Sequence, residues 1–358
     1  MEYRHGGDIY GNDKIKLDFS VNTNPLGIPE SVKQAVLNGT NDWSCYPDSK
    51  CRELKAELAA FYEKRFDEQA DISQTDFICG NGASDLLYSL VFALQPKKAL
   101  IFAPAFDEYE KALHAVGCEI QLIYLEESEN FSMEDIDSNY FLNDVDMVIL
   151  GNPNNPTGRV LSSTQLKKWA DSCLQKRIFL IIDESFNWFL KDWEKDTMVP
   201  YLPEYHNIFI LNAFTKIYAM AGLRLGYGIC KNKRVVEEIE KCRQPWSVSV
   251  PAMHAGLQAL KEEAFIEETE RTVSKERTFL AEELEKLGFQ VFPSDVNFLL
   301  IKRSNQIDYD GACKAEGILI RCCDGFEGLT DDFYRVSVKL HEENEQLLLC
   351  LANAGTRG

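Results

Sequence analysis

From about residue 77 to 230, short apolar runs alternate with segments whose apolar positions recur every three or four residues. Phe77-Ile-Cys79 leads into Gly80-Asn-Gly82 and then an apolar stretch from Leu86 to Leu94, which predicts strand, turn and helix. Ala99-Leu-Ile-Phe102 predicts a buried strand ended by Pro104, and Met147-Val-Ile-Leu150 another, ended by Gly151. Between Ser163 and Lys176, Leu166, Trp169, Ala170, Cys173 and Leu174 recur at helical spacing. Ser162 and Gln165 supply the capping box that starts this helix. Ile178–Ile182 and Ile208–Leu211 are two further strands. Strands that are apolar throughout must be covered on both faces, so the pattern predicts an α/β fold with a mostly parallel central sheet sandwiched by helices. In such sheets functional residues gather at the carboxyl ends of strands. Gly80–Ser84, Asn152–Gly158 and Asp183 all fall there.

Around Pro245 the texture changes. A charged helical stretch runs from about Lys261 to Leu287 and stops at Gly288. Short strands are expected at Phe289–Phe292, Val296–Ile301, Ile318–Cys322 and Tyr334–Val338, with helices around 307–316 and 342–354. This predicts a large domain over residues 31–245 and a smaller α+β domain made of 1–30 and 246–358. The first thirty residues join the small domain because a segment ahead of the first sheet strand needs a surface to pack on.

Composition narrows the function. A net charge of −19 excludes nucleic acid and anionic membrane surfaces as partners, and any anionic substrate must meet a local positive pocket. No apolar run of membrane-spanning length occurs, and Met1–Gly7 does not resemble a signal peptide, so a cytoplasmic protein is expected. Eleven cysteines, an odd number with irregular spacing, read as reduced and mostly buried thiols. The five histidines are scattered, so no metal is expected.

The candidate chemistry centres on Lys216, in Asn212-Ala213-Phe214-Thr215-Lys216, followed by Arg224 in a glycine-rich segment. Lysines are mostly solvated surface charges, but one buried near other cations has a lowered pKa and can form an imine at neutral pH. Asp183 closes five apolar residues; it reads as a helix cap, or as a partner for a buried cation. The turn Asn152-Pro-Asn-Asn-Pro-Thr-Gly158 is rich in ordinary turn formers. Gly80-Asn-Gly-Ala-Ser84 looks like half a dinucleotide fingerprint but lacks its third glycine; as a helix start it can still bind phosphate. An amine, a carboxylate, a turn amide and a guanidinium together suit pyridoxal phosphate. Lys216 would hold its aldehyde as a Schiff base, Asp183 its protonated ring nitrogen, Asn155 its ring oxygen and Arg224 its phosphate, assisted by Gly82, Ala83, Ser84 and Thr215.

This order of motifs resembles the fold-type I aminotransferase family over essentially the whole chain. The resemblance implies that Phe106 stacks on the pyridine ring. Within the family, histidinol-phosphate aminotransferase and the threonine-phosphate decarboxylase of cobalamin synthesis look closest. His5-Gly-Gly7, Asp18–Gly27, Gln244-Pro-Trp-Ser-Val248 and Asp183-Glu-Ser-Phe186 resemble the decarboxylase more. Phe186 stands where the aminotransferase pattern places a tyrosine that donates to the ring oxygen. The resemblance further implies that Arg335 holds the substrate α-carboxylate, Arg321 helps bind its phosphate, and His5 and Asn24 line the substrate side. Tyr46 would reach the cofactor phosphate of a neighbouring subunit, which implies a homodimer. Ala83, Ser84 and Ser185 depart from the pattern, where relatives carry Glu, Thr and Ala. The implied activity is decarboxylation of threonine phosphate, or a close analogue such as serine phosphate, through an external aldimine. Transamination of histidinol phosphate or another amino acid is the alternative.

Overall fold

The computed structural model describes residues 6–10, 14–66 and 69–357. β1 (Leu17–Asp18) comes first. It is followed by β2 (Phe77–Gly80), β3 (Lys98–Ala103), β4 (Glu119–Tyr124), β5 (Met147–Gly151), β6 (Phe179–Asp183), β7 (Ile208–Ala213) and β8 (Gly226–Ile229). Later come β9 (Gln290–Val291), β10 (Phe298–Lys302), β11 (Ile318–Leu319), β12 (Arg321–Cys322) and β13 (Phe333–Ser337).

β2 to β8 form a seven-stranded sheet in the order β2-β8-β7-β6-β5-β3-β4. β4, β3, β5, β6 and β7 are parallel; β8 runs antiparallel to both β7 and β2. The mostly parallel sheet is therefore present, with one reversed strand inside it. Alternate side chains of each strand enter different apolar clusters, as period-two geometry requires. Leu100, Val148, Leu180 and Ile210 pack on one face, and Ile101, Ile149, Ile181 and Phe209 on the other. The helix Ser163–Lys176 buries Leu166, Trp169, Ala170 and Cys173, and its capping box is formed by Ser162 and Gln165. Trp169 meets Phe102 edge-on at 5.2 Å, which fixes this helix against β3.

A four-stranded antiparallel sheet, β12-β13-β10-β9, packs with the helices Glu263–Lys286 and His341–Arg357. The expected single strand Ile318–Cys322 is broken at Ile320. β11 pairs with β1, while β12 pairs with β13, so the chain changes partners within five residues. The N-terminal segment is bound here as well: Phe19 donates to the Leu319 carbonyl and Ser337 to the Phe19 carbonyl. Ser20, Val21 and Asn22 are thereby brought to the carboxyl edge of the large sheet.

Candidate active site

A cavity of about 240 Å³ opens at that edge. Its wall is built from the N-terminal segment, the start of helix Ala83–Leu94, the loop after β3, the ends of β5, β6 and β7, and β12 and β13. Lys216 sits on the short helical turn Phe214–Ile217 directly after β7. Its amine faces the cavity, 5.8 Å from the centre of the Phe186 ring. Burial, then the guanidinium groups of Arg335 and Arg224, push Lys216 down to about 8, with Asp183 pulling the other way. A substantial fraction of this amine is therefore neutral near physiological pH.

Asp183 is the last residue of β6 and lies on the cavity floor. No regular α-helix follows it, so it does not cap one. One carboxylate oxygen accepts from the Ser185 hydroxyl at 2.5 Å and the Ser185 amide at 3.0 Å. The other accepts from the Tyr109 hydroxyl at 2.8 Å. Burial raises the Asp183 pKa, and these three donors and Lys216 oppose that rise.

The asparagine-rich turn after β5 divides its labour. Asn152 receives the Leu161 amide at 2.7 Å and donates to the Leu161 carbonyl at 3.1 Å, closing the base of the turn. Asn154 donates to the Pro104 carbonyl at 3.0 Å and so fastens the turn to the loop that carries Phe106. Asn155 alone of the three lines the cavity, and its side-chain oxygen accepts from Arg335. The amide nitrogen of Asn155 is then the end left for another acceptor.

Gly82 precedes the helix Ala83–Leu94 with φ of 82°, a conformation that glycine adopts freely. A Cβ at this position would lie 2.6 Å from Arg224 Nη2. Free backbone amides at a helix start, with a guanidinium packed over them, make an anion cradle. Ala83, Ser84, Thr215 and Arg224 all line the cavity beside it.

On the opposite wall Arg321 and Arg335 are directly paired across β12 and β13. Arg335 also donates to the Ser20 carbonyl at 2.7 Å. Burial and Arg321 push Arg335 down to about 10.

The placement differs from expectation in one case. Asn24 does not line the cavity: its amide donates to the Ile217 carbonyl at 2.6 Å and Thr269 Oγ1 at 2.7 Å, and so braces the lysine-bearing turn from behind. Asn22 is the asparagine on the cavity wall. Tyr46 is exposed, outside the cavity, and stacks on Trp246 with ring centres 4.5 Å apart. His5 lies outside the described residues. Tyr109, Asp107, Ser20 and Phe326 join the wall without having been assigned a role from sequence. Tyr109 follows Phe106 by three residues at a helix start, a spacing that puts both on one side, and that was the one available signal.

The profile of the aminotransferase class I and II family matches residues 14–349. The chain belongs to that family. It is an enzyme of this pyridoxal-phosphate-dependent group. The threonine-phosphate decarboxylase of Salmonella typhimurium is 33% identical over 362 residues, covering 98% of this chain and 96% of that one. The histidinol-phosphate aminotransferase of Caldicellulosiruptor saccharolyticus is 28% identical over 349 residues, covering 95% and 92%. Among solved structures, the histidinol-phosphate aminotransferase from Clostridium acetobutylicum is similar with a TM-score of 0.86 and 32% identity, covering 96% of this chain and 100% of that one. The class I and II cofactor fits the residues present. The Gly82–Arg224 cradle suits its phosphate, Asp183 a ring cation, and the part-neutral Lys216 amine its aldehyde.

Proposed function

We propose that this enzyme decarboxylates a phosphorylated α-amino acid, threonine phosphate or a close analogue such as serine phosphate. The observation that carries the reading is the Arg321–Arg335 pair. Two like charges directly opposite each other in a sheet destabilise it. Both are buried, and among the described residues no carboxylate pairs with either at salt-bridge distance. A substrate carrying a carboxylate and a phosphate offsets both charges at once. Among the described residues four cationic side chains, Lys216, Arg224, Arg321 and Arg335, line the cavity against two carboxylates, Asp107 and Asp183, in a chain whose net charge is −19. The cavity thus draws polyanions that the rest of the surface repels.

Lys216, Asp183, Asn155, Thr215, Arg224 and the Gly82–Ser84 helix start would hold pyridoxal phosphate, with Phe106 against the ring. Bound there, the cofactor supplies an electron sink for the pair left when a bond at the substrate Cα breaks. The protein decides which bond that is. Arg335 grips the α-carboxylate and Arg321 the phosphate, which sets the torsion about Cα. Lys216 Nζ, pushed down to about 8, is still partly protonated near neutral pH, and its ammonium form then delivers a proton to Cα after carbon dioxide departs, leaving the neutral amine. Phe186 has no hydroxyl, so Asn155, its oxygen already engaged by Arg335, is the donor to the ring oxygen. Tyr46, exposed beside Trp246, would complete the phosphate site of a second copy in a homodimer.

Transamination of histidinol phosphate is the second reading, favoured by the likeness to the Clostridium acetobutylicum aminotransferase. That substrate has a phosphate but no carboxylate, so both guanidiniums would have to share one anion. The test is to give the cofactor-loaded enzyme threonine phosphate without any keto acid. Carbon dioxide released over repeated turnovers supports the decarboxylase. One equivalent of pyridoxamine phosphate with no carbon dioxide makes it a transaminase.

A further inference from the structure

We propose that Ser185 and Tyr109 are positioning residues that keep the proton on the cofactor's ring nitrogen by holding Asp183 as an anion. The inference rests on the reading that Asp183 pairs with that nitrogen. It extends that reading to two cavity-wall side chains whose hydroxyl groups both donate to Asp183.

Both contacts exceed what the fold requires. The Ser185 amide already closes a turn onto Asp183 at 3.0 Å, and an alanine would keep that bond. The Ser185 hydroxyl adds a second donor to the same oxygen at 2.5 Å. Tyr109 reaches the other oxygen from a helix 74 residues away in sequence. Space for its hydroxyl depends on Gly151, which is directly opposite Asp183 in the β5–β6 register. A Cβ on Gly151 would come within 3.2 Å of the Tyr109 oxygen. Burial also pushes the Tyr109 hydroxyl well above its usual pKa, so it stays protonated and donates.

One proton is shared between the ring nitrogen and Asp183. If the N–H bond breaks as an O–H bond forms on the carboxylate, a charged pair becomes a neutral one. A buried site favours the neutral pair, because burial penalises charge. The ring would then lose the positive charge that makes it an electron sink. Hydroxyl donors bind the carboxylate more strongly than the carboxylic acid and reverse that preference. Each donor to a charged group shifts the ratio of the two forms by about tenfold or more. With Ser185 on one oxygen and Tyr109 on the other, neither oxygen is left as a strong base for the ring proton.

The test is to load the enzyme with pyridoxal phosphate labelled with ¹⁵N in the ring and to record the nitrogen chemical shift. The wild type should show the shielded position of a protonated ring. Ser185→Ala should move the signal toward the deshielded, unprotonated position, by about a tenfold change in the ratio. The double variant with Tyr109→Phe should move it further, by about a hundredfold. Ser185→Thr, which restores a hydroxyl, should return it. If Ser185→Ala does not fold, Tyr109→Phe alone carries the test, since it strips the other oxygen and leaves the turn intact. Wild-type shifts in both folded single variants and in the double variant would overturn the inference. An unprotonated ring in the wild type, or an identical shift in Asp183→Asn, would instead overturn the pairing on which it rests.

Discussion

The two sheets present their chemistry in different ways. In the seven-stranded sheet, Asp183, Asn155 and Lys216 sit at or just beyond the carboxyl ends of parallel strands. In the four-stranded sheet, Arg335 is mid-strand and Arg321 faces it across the ladder. The first wall holds groups that suit a cofactor; the second is the wall against which different amines can be sorted. Loss of a group on the cofactor wall should therefore disable every substrate and change the spectrum. Loss on the arginine wall should leave the spectrum and change which substrate is used.

The largest effect is expected from Lys216→Ala: the yellow absorbance of the loaded enzyme disappears and turnover of every substrate falls by at least about 10³-fold. An unchanged chromophore that hydride bleaches would place the attachment elsewhere. Asp183→Ala comes next, with cofactor affinity lowered by about 1.5–3 kcal/mol and turnover lost for all substrates. Equilibrium dialysis of the cofactor and a turnover assay check both parts, and full activity would contradict the ring-pairing role. Arg335→Ala should cut kcat/KM for α-carboxylate substrates by about 10- to 100-fold while the resting absorbance persists. A bleached spectrum in that variant would erase the division between the two walls.

The smallest effect is a pH profile. Cofactor loading requires the neutral amine of Lys216, whose folded pKa is pushed down to about 8. Its loading rate onto apoprotein should rise as pH increases through about 8 and then level off. A rate that kept rising to the ordinary lysine range would mean that burial and the neighbouring Arg335 and Arg224 guanidiniums do not depress this amine.

The same contrast explains what could be read in the sequence. β5, β6 and β7 are apolar on both faces, and their periodicity with the intervening capped helix made the central sheet visible. The strand-end rule then located Asp183 and the asparagine-rich turn. β8 was not visible because glycine makes up half of Gly226–Ile229, and it reads as a loop. The break at Ile320 was hidden as well, since an apolar run does not record which strand each half will pair with. Arg321 and Arg335 came from family resemblance alone; nothing in the local pattern sets them apart from surface arginines. The Tyr109–Asp183 bond is a long-range contact with no local signature. Asn24 misled because a polar residue in a turn looks the same whether it faces a ligand or a backbone carbonyl.

The central claim is that paired guanidiniums select a substrate with two anionic groups. The most direct measurement compares kcat/KM for carbon dioxide release from threonine phosphate and from threonine, in the wild type and in Arg321→Ala. The account predicts a strong wild-type preference for the phosphorylated substrate that largely collapses in Arg321→Ala. Equal use of the two substrates by the wild type, or a preference untouched by the substitution, would contradict it.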